Sequence, residues 1–376
     1  MSTVNRTSDS IAPIVTGNGD GVRYFRERRD GPELSACTFH LNEMTARQEE
    51  AISNLVSGCS FATVFHSTEW NRLLSSEFGL EPRVSIVSVD DKIVACNIFY
   101  VWSDRALLRA SWSPPRMYEA VYGGPVFAPG LECAAEVLLK EQQRLSGACT
   151  TYVVTPPGFD SEILKRAKFS VRTAQTVTLG LRQSVDELWN GLGAKRRNMI
   201  RKARQEGVEV RSGFAEDMPE YHNLLCATLA RGGKEPLRLS FFSRVAQELI
   251  PAGLASFLVA VRNRTIVAGA LLLHYGISSV YWSGASSEEG KGLAANDIVQ
   301  WHCILAAKER DSNVYDFLGI DTARLPGISA FKKGFGGAVV GYCSAIRRTF
   351  LGQAVRVVFH PRSPARIVWR KVAIDR

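Results

Sequence analysis

The sequence predicts an α/β fold, in layered α+β form, that is built twice along one chain. The chain has 376 residues, which is room for about two domains of roughly 150 residues each. Two segments about 170 residues apart repeat the same order of elements, namely a strand hairpin, a glycine-rich connection, a helix and a strand. Strand-like alternation and helical periodicity therefore follow one another in both halves, as they do in layered α/β proteins.

The composition is that of a folded protein with an excess of positive charge. Hydrophobic residues make up 45% and charged residues 22%, which excludes disordered, collagen-like and coiled-coil chains. The net charge of +9 predicts an anionic partner such as nucleic acid, a nucleotide-sugar phosphate or an acidic membrane face. The eight cysteines form no Cys-x-x-Cys pair. Because no secretion signal or membrane-spanning stretch is visible, a cytoplasmic protein is expected.

Four segments follow from this organisation. Residues 1–30 are expected to be disordered, 31–182 to form the first copy of the fold and 183–350 the second. Residues 351–376 form a basic tail with apolar residues between the charges. This tail either packs on the core as a final helix or meets anionic lipid.

Each copy begins with a hairpin of the same pattern. Residues 83–89 and 93–99 alternate as two strands joined by a polar turn in the first copy, and residues 255–261 and 266–271 do so in the second. The glycine-rich connections, helices and strands that follow are predicted at Gly123-Gly124-Pro125, 131–146 and 151–154 in the first copy, and at 284–292, 294–310 and 314–317 in the second.

A helix is predicted to open the second copy. Ser184 is a suitable N-cap and Glu187 completes a capping box, so the helix is expected to run to Gln205. Gly207 ends it, and residues 208–211 alternate as a strand. The boundary between the copies is therefore expected near residue 182.

The densest charge in the chain lies on this helix. Residues 195–204 contain six positive charges and no negative one. Arg197, Arg201 and Arg204 share one helical face, and forked guanidinium groups so arranged suit a diphosphate. A solvated helix face is the alternative.

Two glycine-containing segments are candidates for ligand contact. In residues 331–337 lysines lie between two aromatic residues and precede Gly336 and Gly337, so that a lysine of this segment could stabilise the oxyanion of an acyl transfer. An ordinary turn with a solvent-facing lysine is the alternative. The loop with Gly290, Lys291 and Gly292 could hold a phosphate at a helix start. It lacks the third glycine of a dinucleotide motif and the Gly-Lys-Ser/Thr of a Walker loop.

Other residues give weaker signals. His222 and Cys226 have the spacing of two metal ligands, but no further ligand lies nearby in the sequence, so no metal site is predicted. The seven tryptophans are expected in the core, while Tyr122 and Trp282 lie beside the glycine-rich connections and could instead line a cleft.

Four motifs together resemble the FemABX-like branch of the GNAT acyltransferase superfamily, over about residues 60–350. They are Phe65-His66-Ser67-Thr68-Glu69-Trp70, the basic run at 195–203, Tyr315-Asp316-Phe317-Leu318-Gly319 and Phe331-Lys332-Lys333-Gly334-Phe335-Gly336-Gly337. The resemblance implies two tandem GNAT-like domains with a cleft between them. It also implies transfer of an acyl or aminoacyl group to an amine of a cell-envelope precursor, with no tightly bound cofactor and with either aminoacyl-tRNA or acyl-CoA as the donor.

The resemblance also implies roles for individual residues. Arg72, Arg197 and Arg201 match positions that hold the acceptor's diphosphate, and Lys332 matches a lysine near the donor's reactive end. Asp316 either orients the acceptor amine or caps a neighbouring loop, and Glu119 is a weaker candidate for the general base. The remaining expected contacts are Trp70, Tyr122, Trp282, Phe331, Gly336 and Gly337 for the substrate, and Gly290, Lys291 and Gly292 for the donor.

The sequence departs from the family at two places. Gln205 leads directly to Gly207 and a strand, which leaves no room for a helical-hairpin arm, and the usual Arg-Gly-Pro motif reads Gly123-Gly124-Pro125. Two further functions therefore stay open: an acyl-CoA- or acyl-carrier-dependent N-acetyltransferase of envelope polysaccharide synthesis, and a non-catalytic nucleic-acid-binding protein. The expected partners are a lipid-linked or other anionic precursor, tRNA and the inner membrane surface, and the oligomeric state is left open.

Overall fold

The computed structural model describes residues 22–27, 33–104, 108–350 and 352. Its strands are β1 (Val22–Glu27), β2 (Leu34–His40), β3 (Arg83–Val89), β4 (Lys92–Asp104), β5 (Leu108–Ser113), β6 (Val126–Phe127), β7 (Thr150–Thr155), β8 (Ser170–Gly180), β9 (Glu209–Ser212), β10 (Ala255–Arg262), β11 (Thr265–Tyr275), β12 (Ser278–Ser286), β13 (Val314–Asp316) and β14 (Ala338–Arg348). Its α-helices are α1 (Ala46–Gly58), α2 (Thr68–Phe78), α3 (Glu132–Ser146), α4 (Ser161–Arg166), α5 (Val185–Gly191), α6 (Ala194–Gln205), α7 (Met218–Ala230), α8 (Leu239–Arg244), α9 (Glu288–Gly292), α10 (Ala295–Glu309) and α11 (Pro326–Lys333).

The two predicted hairpins are confirmed as β3–β4 and β10–β11, both antiparallel. Their turns have the same backbone geometry, with left-handed φ values of 46° and 60° at Asp90 and Asp91 and of 50° and 68° at Asn263 and Arg264. Two consecutive left-handed residues give the turn whose twist matches the flanking strands. The repeat seen in the sequence is therefore a repeat of backbone structure.

All the strands join one mixed sheet, in the order β1-β2-β3-β4-β5-β7-β14-β8-β13-β12-β11-β10-β9, with β6 paired to β4. In its centre the two copies exchange their last strands. The last strand of the second copy, β14, pairs with β7 of the first, and the last strand of the first copy, β8, pairs with β13 of the second. The predicted α/β fold in two tandem copies is confirmed, and the copies are interlocked through this shared sheet.

The predicted helices at 131–146 and 294–310 are confirmed as α3 and α10. The single helix expected from Ser184 to Gln205 is wrong, because the chain forms α5 and α6 with an extended break at Leu192 and Gly193. The break has a tertiary cause: the backbone N–H of Gly193 donates to the carbonyl oxygen of Gly334 at 2.9 Å. The predicted strand at 208–211 is confirmed as β9.

A core of aromatic side chains joins the copies. Trp70 from the first copy packs edge-to-face on Trp282 from the second, with ring centroids 5.5 Å apart, and both pack on Phe241. Two further cores lie on other parts of the sheet, one under α6 and α10 and one under α3 and α4. The largest fully buried side chains thus include residues of both copies at their contact.

Of the two expected terminal segments, residues 1–30 and 351–376, the structure describes only residues 22–27 and 352. Val22–Glu27, inside the segment expected to be disordered, form β1 and pair with β2. The basic tail at 351–376 lies outside the described residues except for Gly352. In the part of the chain that the structure describes, no helix has the length and apolar character needed to cross a membrane.

Candidate active site

Asp316 is the last residue of β13 and lies where the copies meet, with only 3% of its surface exposed. Its Oδ2 accepts a hydrogen bond from the hydroxyl of Tyr122 at 2.9 Å. Its Oδ1 accepts from the hydroxyl of Thr176 at 2.5 Å and from the backbone N–H of Leu318 at 2.7 Å. Both carboxylate oxygens are therefore occupied by groups of the chain itself.

These contacts make Asp316 the cap of the turn that follows it. Leu318 has a left-handed φ of 57°, a conformation that an aliphatic residue rarely adopts, and Asp316 binds its N–H. Burial raises the pKa of Asp316, while the hydrogen bonds from Thr176 and Tyr122 lower it. Of the two roles left open by the sequence, this geometry supports capping of the neighbouring loop.

The same turn positions Lys332. The lysine lies on α11, and its Nζ donates to the carbonyl oxygens of Leu318 and Gly319 at 2.9 and 3.0 Å. Burial lowers the pKa of Lys332 to about 8, although the nearby charge of Asp316 opposes this shift. The structure thus brings two predicted catalytic residues together, with Asp316 supporting the turn and Lys332 held by it.

Two tyrosines close this cluster. The ring of Tyr122 is fully buried and packs edge-to-face on Tyr342 of β14, with centroids 5.4 Å apart. A Cβ placed on Gly319 would lie 3.2 Å from the hydroxyl of Tyr342, so this tyrosine closely covers the turn. Tyr122 is therefore a buried support of the Asp316 turn, and the cleft wall expected from the sequence is not formed by it.

The two predicted tryptophan contacts are also buried, and Trp282 instead supports Glu119. Trp70 is fully buried and Trp282 is 8% exposed. The indole N–H of Trp282 donates to the backbone carbonyl of Glu119 at 3.0 Å, and Glu119 has a left-handed φ of 59°. Its side chain reaches solvent, yet the surrounding protein desolvates the carboxyl group enough to raise its pKa, against the charge of Lys234.

The arginines expected to hold a diphosphate are engaged within the chain. Arg197 donates to the carbonyl oxygens of Asn190 and Leu192, at the break before α6. The guanidinium groups of Arg201 and Arg204 both lie over the ring of Trp189, with their central carbons 5.7 and 5.8 Å from its centroid. On α2, Arg72 forms a two-point ion pair with Glu49. The structure does not gather these arginines at the Asp316–Lys332 turn by any described contact.

Arg196, which the sequence did not single out, has a largely buried side chain. It forms an ion pair with Asp297 at 2.5 Å, with about a tenth of either side chain exposed. Its guanidinium also lies over the ring of Phe331, 5.2 Å from the centroid. Arg196 thereby joins α6 to the first turn of α10 and to the lysine-bearing helix α11.

The glycines of the 331–337 motif serve packing between chain segments. A Cβ on Gly336 would lie 2.6 Å from the carbonyl oxygen of Gly191, and one on Gly337 would lie 2.6 Å from the side chain of Val177. These contacts give Gly336 and Gly337 a packing role within the chain, and their approach to a ligand stays a prediction. Phe331 packs on Phe335, with centroids 5.1 Å apart, and beneath Arg196.

A family model described as an acetyltransferase (GNAT) domain matches residues 194–333, which contain Asp316 and Lys332. Residues 194–333 are therefore similar to a GNAT acetyltransferase domain. This match indicates an acyltransferase. No curated protein matches the sequence.

Solved structures share this double GNAT fold over nearly their whole length. A crystal structure of FemX is 16% identical, with a TM-score of 0.68 over 86% of this chain and 99% of that one. The C-terminal domain of a putative lysylphosphatidylglycerol synthetase from Agrobacterium fabrum is 11% identical, with a TM-score of 0.54 over 83% and 97%. A tandem GNAT protein from the clavulanic acid pathway is 12% identical, with a TM-score of 0.53 over 84% and 98%.

In the loop expected to hold a donor pyrophosphate, two backbone N–H groups already donate to acceptors within the chain. The N–H of Gly290 donates to the hydroxyl of Ser287 at 2.9 Å, and that of Lys291 donates to the Ser287 carbonyl. Gly290 also packs against the backbone of Val267, and the carbonyl of Gly292 accepts from Lys202. Gly290, Lys291 and Gly292 therefore all make contacts within the chain, and their contact with a donor stays a prediction.

Several site residues were missed by sequence reasoning. Thr176 and Tyr342 lie in β8 and β14, the exchanged strands, and nothing local distinguishes them from other strand residues. Asp297 sits in the first turn of α10, where an acidic residue is common. In the described residues, no group of three His, Cys, Asp or Glu side chains is placed to hold a metal ion.

Proposed function

We propose that this protein is an N-acyltransferase that moves an acyl or aminoacyl group from an activated donor to an amine of a cell-envelope precursor. One observation carries the proposal most directly. The amine of Lys332 is held by the Asp316 turn at the contact of the two GNAT-like copies, and its pKa is lowered to about 8. A lysine so placed can donate to the oxygen of a reacting carbonyl.

The reaction needs few groups. The acceptor amine attacks the carbonyl carbon of an ester or thioester, negative charge develops on the carbonyl oxygen, and the bond to the leaving oxygen or sulfur breaks as the amide forms. The amine must also lose a proton. Lys332, as an ammonium group, is proposed to stabilise the oxyanion, and Glu119, with its raised pKa and solvent access, to take up the proton.

The donor proposed is an aminoacyl-tRNA. An acyl-CoA donor carries a pyrophosphate, and the backbone amides at Gly290 and Lys291 that could bind one are already used. One similar structure is a domain of a putative lysylphosphatidylglycerol synthetase, and the product in that name is an aminoacylated membrane lipid. Together with the similarity to FemX, this supports a lipid-linked or nucleotide-linked acceptor at the cytoplasmic face of the membrane.

The test is transfer by the purified protein, followed by mass spectrometry. Charged tRNAs and acetyl-CoA are offered separately as donors, with UDP-linked and lipid-linked muropeptides and an amine-bearing polysaccharide precursor as acceptors. Lys332→Ala is expected to lower the rate by about 100-fold or more. Lys333→Ala is the matched control, since Lys333 is an exposed neighbour on the same helix.

Three results would decide the proposal. Transfer from a charged tRNA supports it in full, and transfer from acetyl-CoA alone supports the N-acetyltransferase alternative in its place. Binding of RNA without turnover of any donor would establish the non-catalytic alternative. A Lys332→Ala variant as active as Lys333→Ala would remove Lys332 from the chemistry.

A further inference from the structure

A stripe of aromatic side chains crosses the first-copy part of the sheet, outside the Asp316–Lys332 turn. It consists of Trp102 on β4, Trp112 on β5 and Tyr152 on β7, and is called the aromatic stripe below. The rings of Trp102 and Trp112 are stacked, with centroids 6.3 Å apart and an angle of 22° between their planes. The ring centroids of Trp112 and Tyr152 are 6.4 Å apart. The side chain of Tyr152 is 37% exposed and both tryptophans are half-buried.

Strand register places these rings on one face of the sheet. Trp112 lies beside Tyr152, and Tyr152 lies beside Ile346 on β14. The opposite face is covered by α3 and α4, because Ser111 accepts a hydrogen bond from Gln142 of α3 at 2.7 Å and Arg347 donates to the carbonyl of Ala167. Since alternate residues of a strand point to opposite faces, the aromatic stripe lies on the face away from α3.

Positive charge flanks the aromatic stripe on this same face. Arg348 lies opposite Thr150 on β7, and Arg172 of β8 lies opposite Ser344 on β14, next to Ile346. Arg172 is exposed. Within the described residues neither arginine forms an ion pair, in contrast to Arg72 and Arg196, and the whole chain carries a net charge of +9.

The stripe is continuous with the candidate active site. Ile346 and Tyr342 are four residues apart on β14, so both point to the same face, about 13 Å from one another along the strand. Tyr342 is the residue that packs on Tyr122 and covers the turn of Asp316 and Lys332. A ligand lying along this face would therefore be led from the aromatic stripe toward Lys332.

We propose that the aromatic stripe binds the unpaired bases of a single-stranded RNA end, with Arg172 and Arg348 contacting its phosphates. Aromatic rings stack on bases of any sequence, and flanking arginines supply the charge that a phosphate backbone requires. Sugars also stack on aromatic rings, but two arginines without an ion pair among the described residues match a phosphodiester chain better than a neutral glycan. The inference rests on the proposed function only in treating this RNA as the aminoacyl donor.

The first test is binding of a short fluorescent single-stranded RNA, measured by anisotropy at several salt concentrations. Trp102→Ala and Tyr152→Ala are each expected to weaken binding by about 5- to 100-fold with an unchanged salt dependence, as loss of one stacked base requires. Tyr152→Phe keeps the ring and should bind as the unchanged protein does. Arg172→Ala should reduce the slope of log affinity against log salt by about 0.7, as loss of one phosphate contact requires.

Matched controls lie elsewhere on the surface. Phe214→Ala removes a ring that is 61% exposed in the second copy, and Arg47→Ala removes an exposed charge on α1. Neither should change the affinity or the slope. RNA affinity that stays the same in Trp102→Ala and Tyr152→Ala, or that falls equally in the controls, would overturn the proposal. So would vesicles of anionic lipid that compete fully with RNA for the stripe.

Acyl transfer is measured on the same variants, so that the two proposals can fail separately. If RNA binds through the stripe and no donor is turned over, the RNA site stands and the proposed enzymatic function fails. If acetyl-CoA is a good donor and the stripe variants bind no less RNA than the unchanged protein, the acyltransferase stands and the RNA site fails. With a charged tRNA donor, Tyr152→Ala is expected to raise KM while leaving kcat within about twofold.

Discussion

The hydroxyl of Tyr122 donates a hydrogen bond of 2.9 Å to the carboxylate of Asp316, a residue 194 positions further along the chain. The bond joins a loop of the first GNAT-like copy to the end of a central strand of the second. Asp316 in turn binds the N–H of Leu318, whose carbonyl oxygen accepts from Lys332. The placement of the candidate catalytic lysine therefore depends on contacts made by both copies.

Removing the Tyr122 hydroxyl should loosen this arrangement. Tyr122→Phe leaves a buried carboxylate with one hydrogen bond fewer and is expected to reduce the free energy of unfolding by about 1.5–3 kcal/mol. Urea denaturation measures this loss. Tyr281→Phe is the control, since the Tyr281 hydroxyl makes no hydrogen bond among the described residues. Equal stability of the two variants would show that the Tyr122–Asp316 bond contributes nothing net.

Gly336 and Gly327 should respond to alanine in opposite directions. Gly336 has a φ of +84°, and a Cβ added there would lie 2.6 Å from the carbonyl oxygen of Gly191. Gly336→Ala is therefore expected to lower the free energy of unfolding by at least about 2 kcal/mol. Gly327 lies in α11 with nothing within 4 Å of an added Cβ, so Gly327→Ala should stabilise by up to about 1 kcal/mol. Thermal denaturation of both variants checks the pair of signs.

The pH dependence of kcat/KM should report the lowered pKa of Lys332. As an oxyanion-stabilising ammonium group it is active when protonated, so kcat/KM is expected to fall as the pH rises through about 8. Lys332→Arg should move this falling limb beyond the accessible range, because a guanidinium stays charged. A limb that rises through pH 8 and is lost in Lys332→Arg would instead identify the neutral amine as a base.

Removing only the arginine of the Arg196–Asp297 ion pair should strongly lower the free energy of unfolding. Arg196→Ala leaves a buried carboxylate unpaired and is expected to destabilise the protein by about 3–5 kcal/mol near neutral pH. Burial already raises the pKa of Asp297 to about 6, and loss of Arg196 should raise it further. The carboxyl group is then neutral at pH 5, so the destabilisation should be smaller there than at pH 8.

Denaturation curves at the two pH values measure this difference. Arg201→Ala is the matched control on the same helix, because Arg201 is exposed, lies over Trp189 and donates a hydrogen bond to Asn198, without an ion pair among the described residues. It should cost less than about 1 kcal/mol at both pH values. A loss in Arg196→Ala that does not depend on pH would show that packing on Phe331, and not the charge of Asp297, is what Arg196 contributes.

The sequence by itself determined the elements that depend on local pattern. The two hairpins, with their matching turns at Asp90-Asp91 and Asn263-Arg264, and the helices α3 and α10 lie where periodicity and turn chemistry predict them. The resemblance of short motifs also singled out Asp316 and Lys332 before their contacts were known. Each of these conclusions rests on residues close together in the chain.

The tertiary structure alone decided which segments meet. It exchanged β8 and β14 between the copies, broke the predicted helix at Gly193 to reach Gly334, and turned arginines predicted to hold a ligand into internal supports. The exchanged strand β14 also carries Tyr342 and Ile346 along one face from the candidate active site to the aromatic stripe. The strand exchange and the Gly193–Gly334 contact join residues more than a hundred positions apart. Their energies depend on packing across the sheet, which local propensity does not encode.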